Sequence, residues 1–422
     1  MEQKLFTEFR ALYGTSREYP NVIRIRIRMD VPIDPDAFRA AVDLTMRRYP
    51  YFCVELRKRD GQYVFADNHR PVVIADSLRG VELNSEASNY HMIAFSRSDD
   101  VMMMDVFHGL TDGIGAYAVL ETLLFYYRLA RDGQTPGKAV VPPAGETATP
   151  EEWADPVIGR TDLKASGRQA LSKALNLAEC AGLQYDSMGT VHCVTLSEKD
   201  FMRFVKGHHG SPATMISLLF CRAVAKLYPD EKDVIRIVMC VNQRKALHAP
   251  HARHNLVGGA MLDFDETLRD LPFDRQIKAM RDMVFADTRE EKVLEGVAAQ
   301  RDMTRAMLAK ASDRERVDFF TAAERAAKRV ITATFSYTGK ADFHEAEKMI
   351  SEFRSWTIPP ESGMCIQMSA VNGRFTIEFL QRYASPVFVK AFLKELARFG
   401  IAYEDRGTEP LELANIRLPW SG

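Results

Sequence analysis

Residues 101–107 (Val-Met-Met-Met-Asp-Val-Phe) form a short apolar run that predicts a buried strand. The run passes into a glycine-rich turn, and apolar positions then recur at Val119, Leu120, Leu123, Leu124, Tyr127 and Ala130. That spacing predicts a helix over 116–130 with Gly133 as its stop. Period two sets Met102, Met104, Val106 and His108 on one strand face, so the His108 ring is expected to emerge from an apolar wall. Earlier in the chain Ile23, Ile25 and Ile27 alternate with Arg24, Arg26 and Arg28. This predicts a half-buried strand whose arginine face is a solvated sheet surface. Asp34-Pro35 opens a helix carrying Phe38, Ala41, Val42, Met46 and Tyr49, closed by Pro50. Residues 53–66 read as a hairpin turning on Asp60-Gly61.

Residues 133–160 are rich in Pro, Gly and Thr (Pro136, Pro142, Pro143, Pro150, Pro156) and read as a crossover between two lobes. Beyond it Ser197 heads a capping box before Phe201, Phe204 and Val205, and Ser211-Pro212 opens a helix with Ile216, Leu219, Ala223 and Leu227. A strand ends at Arg244, and residues 272–329 are charged and helical in pattern. Residues 331–339, 364–371 and 375–380 read as strands, the last two turning on Asn372-Gly373. An amphipathic helix with Val389, Phe392, Leu393, Leu396 and Phe399 follows. The order of strands and helices recurs loosely in both halves. The predicted organisation is a first lobe over 1–150, a crossover over 151–185 and a second lobe over 186–422. The predicted fold class is α/β: two lobes, each a mixed sheet flanked by helices, with a tunnel between them.

The turn 108–115 reads His-Gly-Leu-Thr-Asp-Gly-Ile-Gly and is the densest chemistry in the chain. A neutral histidine takes a proton from a hydroxyl or amine near neutral pH, which makes His108 a candidate general base. The alternative is a hydrogen-bonded histidine at a strand end, with Asp112 serving only as the N-cap of the helix and Gly113 and Gly115 serving turn geometry.

This His-x-x-x-Asp-Gly stretch resembles the signature of the CoA-dependent acyltransferase superfamily, which includes chloramphenicol acetyltransferase, alcohol acetyltransferases, the plant BAHD enzymes and the condensation domains of nonribosomal peptide synthetases. The resemblance implies that His108 is the base between the two lobes and that Asp112 is structural, held by an arginine. The strand 237–244 (Ile-Val-Met-Cys-Val-Asn-Gln-Arg), with Asn255, Gly258 and Gly259 after it, is similar to the family segment that supplies that arginine, here Arg244. Residues 331–339 resemble the family's small polar turn, where Ser336, Tyr337 or Thr338 would donate to an oxyanion. The chain departs from the BAHD pattern in lacking Asp-Phe-Gly-Trp-Gly near its end, and from condensation domains in placing Phe107 where they carry a second histidine. The first departure argues against a close BAHD relative, and the standalone length with Phe107 points toward the alcohol-acetyltransferase branch. The implied reaction is transfer of an acyl group from acyl-CoA to the hydroxyl of a small acceptor. Acyl-CoA would be a cosubstrate with no resident cofactor, and the Met-rich strand would suit an apolar acyl chain or acceptor. The alternatives are a condensation enzyme with a carrier-protein thioester donor and an amine or hydroxyl acceptor, and a non-catalytic binding relative.

Composition bounds the rest. A chain of 422 residues exceeds one ordinary core and suits two lobes. The formal net charge of -1 implies no attraction to nucleic acid or an anionic membrane surface. The six cysteines (Cys53, Cys180, Cys193, Cys221, Cys240, Cys365) lack Cys-x-x-Cys spacing, which argues against zinc and disulfides. His248, His251 and His254 fall in a polar stretch and are expected in a solvated loop, with no metal site. No apolar run approaches the roughly 18 residues of a membrane span and the N-terminus lacks a secretory signal, so the expected location is cytoplasmic. Walker A, Gly-x-Gly-x-x-Gly and Gly-x-Ser-x-Gly patterns are absent.

Overall fold

The computed structural model describes residues 2–133, 148–166, 170–184, 189–359 and 363–420, with backbone only for 2–4. Pro136, Pro142 and Pro143 of the expected crossover lie outside these residues.

The alternation at 22–29 and the apolar run at 101–107 become neighbouring antiparallel strands, Val22–Met29 and Val101–Phe107, with Ile23 opposite Val106 and Ile25 opposite Met104. They are the middle of a five-stranded mixed sheet whose order is Ile350–Trp356, Val22–Met29, Val101–Phe107, Ile93–Ser98, Ile74–Ala75. The helices Pro35–Arg48 and Gly113–Arg131 pack together against this sheet. Asp34 caps the first of them, its carboxylate accepting from the Asp36 and Ala37 amides, while Pro35 costs nothing where no intrahelical donor is needed. The predicted hairpin forms from Val54–Arg59 and Gln62–Asp67, with Asp60 and Gly61 both at positive φ (49° and 79°) as a tight primed turn requires.

The second lobe holds a seven-stranded mixed sheet in the order Val257–Phe264, Ile235–Asn242, Ala333–Lys340, Met364–Val371, Arg374–Gln381, Thr190–Ser197, Glu404–Pro410. Its two parallel pairings join Ala333–Lys340 to Ile235–Asn242 on one side and to Met364–Val371 on the other, and the Met364–Val371 strand returns through the Asn372-Gly373 turn. Pro212–Leu227 and Val387–Arg398 cover one face with the core formed by Phe220, Phe335, Phe379 and Phe392. The charged stretch 272–329 is three helices, Phe273–Asp287, Glu290–Leu308 and Asp313–Lys328.

The lobes follow the sheets rather than the chain. The strand Ile350–Trp356 leaves the second half of the sequence to become the edge of the first sheet, and residues 341–353 and 414–418 pack in the first core. The strand 350–356 thereby ties the two sheets together.

Two expectations about exposed and apolar faces are corrected. The arginine face of Val22–Met29 is not a solvated surface: Arg24 is 1% exposed and makes a two-pronged pair with Asp105 across the strand boundary (2.7 and 2.9 Å). Arg26 meets Glu409 of the second sheet, and Arg28 meets Asp100 in the turn before Val101 and Glu352 on the neighbouring strand. Each arginine thus has an acid partner, with Arg24 fully buried and only Arg28 left half-exposed. Met102, Met103 and Met104 are buried in the first lobe and none lines the cavity described below. Because Val101–Phe107 is buried on both faces, period two there does not separate a wet side from a dry one.

Candidate active site

His108 follows directly on the buried strand, its amide donating to the Asn21 carbonyl at 2.8 Å and so extending the pairing one step past Phe107. Its side chain is half-buried and lines a cavity of about 370 Å³ between the two sheets. Nδ1 lies 3.0 Å from the Thr111 carbonyl oxygen, which can only accept. Nδ1 therefore carries the proton, and Nε2 holds the lone pair, with no partner among the described residues. The Asn255 amide nitrogen is 3.2 Å from Nδ1 but 2.9 Å from the His108 carbonyl, and the carbonyl is its acceptor, since two N–H groups cannot bond each other. Ring orientation and tautomer are thus fixed from within a four-residue turn.

Asp112 performs both roles that the sequence left open. Its Oδ1 caps the helix Gly113–Arg131, accepting from the Ile114 and Gly115 amides at 3.0 and 3.2 Å. The same carboxylate takes a bidentate pair from Arg244 of the second lobe, Nη1 to Oδ2 at 2.8 Å and Nη2 to Oδ1 at 3.0 Å. Its Oδ2 also accepts from the Leu256 amide at 3.0 Å. Arg244 spends its remaining donors on the carbonyls of Ala252 (2.8 Å) and His254 (2.8 Å) and on the Asn242 side chain (3.2 Å). Asp112 and Arg244 are 1% and 3% exposed. A buried ion pair with every donor used fixes geometry more than it adds stability.

The third expected segment arrives from the other side. Ser336, Tyr337 and Thr338, on the strand Ala333–Lys340, line the cavity, and the strand register slips between Tyr337 and Lys340. A bulge there re-aims Thr338 out of the ladder and toward the histidine turn. A Cβ at Gly113 would sit 2.5 Å from the Thr338 hydroxyl, so this position admits glycine for reasons of space. A Cβ at Gly115 would meet the Thr111 hydroxyl at 2.0 Å and the Arg253 carbonyl at 2.9 Å. The Thr338 hydroxyl contacts that of Tyr117, and Ser336 contacts Cys240. Burial pushes the Cys240 thiol up to about 11, so it stays protonated and is a poor nucleophile.

Several contributors escaped the sequence reading. His254, expected in a solvated loop, is fully buried behind the histidine turn beside Glu8 and Tyr51. Asn255 appeared only as part of a glycine and asparagine segment, yet it grips the His108 carbonyl. Gln367 from the strand Met364–Val371 and Ser355 and Thr357 from the inter-sheet strand and its exit also line the cavity. Their only signal in the sequence was polarity inside apolar runs. The wall they build is of amides and hydroxyls, and the carboxylate that reaches it, Asp112, is paired to Arg244.

No protein-family model matches the chain, and no curated protein matches it. Among solved structures the chain is similar to polyketide synthase associated protein 5 from Mycobacterium tuberculosis, at 14% identity and a TM-score of 0.59 over 94% of this chain and 96% of that one. It is equally similar to F. sporotrichioides TRI101 complexed with coenzyme A and T-2, at 10% identity and a TM-score of 0.59 over 97% and 100% of the two chains. The first condensation domain of the CDA synthetase follows at 14% identity and 0.58, covering 94% of each. At such identities the likeness is one of fold. The chain has the two-lobe fold of TRI101 and the condensation domains.

Proposed function

We propose that the protein is an acyltransferase that moves an acyl group from acyl-CoA to the hydroxyl of a small acceptor, with His108 as general base. The observation that carries this reading is the set tautomer: an Nδ1–H fixed on the Thr111 carbonyl leaves Nε2 without a partner among the described residues, on a residue lining an inter-sheet cavity. Nε2 takes the acceptor proton as the oxygen attacks the thioester carbon. The tetrahedral oxyanion collapses by breaking the carbon–sulfur bond, and the proton passes from Nε2 to the departing thiolate. Holding donor and acceptor together replaces a covalent enzyme intermediate, in keeping with a protonated Cys240. Ser336 and Thr338 are the candidate oxyanion donors, a contribution worth about 3 kcal/mol for one such donor. Asp112, Gly113 and Arg244 hold the turn rather than touch substrate.

The second reading keeps the chemistry and changes the donor: a thioester on a carrier protein, with an amine or hydroxyl acceptor. It is favoured by the condensation domain's near-equal TM-score. Thiol release from a panel of acyl-CoAs with pooled alcohols and amines tests both. Turnover with free CoA esters supports the first reading, and turnover only with a carrier-bound acyl group supports the second. His108→Ala should abolish acceptor-dependent thiol release at unchanged melting temperature, and retained turnover would reject the mechanism.

A further inference from the structure

Behind the histidine turn lies a buried cluster that the proposed chemistry does not use. His254 Nδ1 is 2.6 Å from Glu8 Oε1, and His254 Nε2 is 2.9 Å from the Trp153 carbonyl oxygen. The Tyr51 oxygen is 3.3 Å from Nδ1, and Tyr51 spends its own proton on the Leu110 carbonyl at 2.5 Å. Each of these three oxygens faces the ring as an acceptor. Beside an ionised Glu8 a neutral imidazole, with one N–H and one lone pair, would leave a nitrogen lone pair against an oxygen lone pair in a site where His254 and Glu8 are both 0% exposed. The charges of the pair hold the Glu8 carboxyl low and the His254 ring high, so Glu8 is the carboxylate and the ring satisfies the site with both nitrogens protonated. Glu8, Asp155 and His254 also bring ligand atoms within 4.8 Å of one another, but a ring with both nitrogens engaged as donors has no lone pair for a metal ion.

We infer that His254 is a buried imidazolium paired with Glu8, and that this pair is a positioning device which holds the second-lobe loop against the turn that carries His108. The loop touches that turn at every step. The Arg253 carbonyl accepts from the Thr111 hydroxyl (2.7 Å), Asn255 donates to the His108 carbonyl (2.9 Å), and the Leu256 amide donates to Asp112 (3.0 Å). The His254 carbonyl itself accepts from Arg244, the partner of Asp112 (2.8 Å). Tyr51 closes the circuit through Leu110, between His108 and Asp112. The helix Glu8–Tyr13 thus anchors the catalytic turn through Glu8, while its Arg10 and Ala11 line the cavity.

The groups facing His254 are Glu8 from that helix, Asp155 just beyond the helix Pro150–Trp153, and Tyr51 from the short helix Pro50–Phe52, with the Asp112–Arg244 pair beyond its carbonyl. Burial opposes the imidazolium, but the charges of Glu8 and Asp155 outweigh it and raise His254 above the usual histidine value. Burial likewise raises the Glu8 carboxyl, and His254 more than offsets this, holding it below its usual value. The sign follows. Stabilisation from His254 is lost as pH rises through its raised folded value, and that from Glu8 is lost as pH falls through its lowered one.

The test labels histidine rings with nitrogen-15, uses His254→Gln to identify the His254 signals, and compares the wild type with Glu8→Gln. In the wild type near neutral pH both His254 nitrogens should show protonated shifts, and in Glu8→Gln the ring should be neutral. The His108 ring signals should move in step with the His254 titration. A neutral wild-type His254, or a charged one that Glu8→Gln leaves unchanged, overturns the inference. Its kinetic arm rests on the acyltransfer reading: Glu8→Gln should move the alkaline limb of the kcat profile down by about one pH unit or more. A uniform drop in rate with an unmoved limb would leave the pair a structural one and reject the positioning role. If no acyl donor and acceptor pair turns over, the acyltransfer reading fails by itself and the two spectroscopic outcomes still decide this inference.

Discussion

At the scale of single residues, the Asp112 carboxylate does more than either role foreseen for it, and this sharpens what its replacement should do. An asparagine would serve as an N-cap almost as well as aspartate, since the cap needs one acceptor oxygen. Here the other oxygen accepts from Arg244 and from the Leu256 amide, so an amide nitrogen in its place would confront two donors with a third. Asp112→Asn is expected to lower both kcat and melting temperature, and Arg244→Ala to do the same by leaving a buried carboxylate uncompensated at a cost of about 3–5 kcal/mol. The double variant should cost much less than the two singles together, as groups in one network are not additive. Thermal denaturation and kcat of the three variants check this, and strict additivity would refute the cross-lobe network. His108, Asp112 and Gly113 stood out because a turn of short side chains after an apolar strand is a local pattern, whereas Arg244, 132 positions from Asp112, was singled out only by the family resemblance. His254 was not legible. Its burial depends on Glu8, which lies 246 positions away, and its neighbours in sequence are polar.

At the scale of elements, close approach governs the histidine turn. The bulge that aims Thr338 at Gly113 leaves no room for a methyl group between the lobes. Gly113→Ala should therefore push the strand Ala333–Lys340 and the histidine turn apart, lowering kcat with a modest loss of stability. Adding Thr338→Ala removes the hydroxyl at 2.5 Å, and the nearest remaining side-chain carbon is an ordinary 3.5 Å away. The double variant should regain stability over Gly113→Ala, read by denaturant midpoint, and a double less stable than the single would sink the steric account. The arginine stripe offers a second case. Arg24→Ala strands Asp105, which is 1% exposed, and should cost about 3–5 kcal/mol, whereas Arg28→Ala, at a half-exposed pair, should cost under about 1 kcal/mol. Alternation revealed that strand and misjudged its arginine face, because period two reports two different faces without saying that one is solvent. The strand Ile350–Trp356 gave no such signal. Its buried residues Ile350, Phe353, Arg354 and Trp356 follow no period of two, since the register slips between Ile350 and Glu352 and the arginine is buried by an ion pair.

At the scale of the whole molecule, that unread strand determines how the lobes behave together. Two lobes were legible from the recurring order of strands and helices, but the membership of 350–356 in the first sheet depends on pairing with a strand more than 300 residues earlier, which no local pattern encodes. Arg354 reaches back to Glu378 of the second sheet at 2.6 Å, and Trp356 donates to the same carboxylate at 2.7 Å while packing on Val191, Leu380 and Leu411. One short strand of the first sheet therefore carries side chains locked into the second, and neither core can be dismantled without exposing part of the other. The protein should unfold in one cooperative step although its length would allow two. Its tryptophans make this measurable: Trp153 and Trp420 pack on the first core, and Trp356 on the second sheet. A variant that keeps only Trp356 and one that keeps only Trp153 and Trp420 should report coincident fluorescence midpoints in denaturant, both agreeing with circular dichroism. Glu378→Gln weakens the tie, because Arg354 then has a neutral amide to meet at that position, and should lower both midpoints together. Two separated transitions in the parent chain would mean that the lobes fold independently and that the strand is a passenger of the first sheet alone.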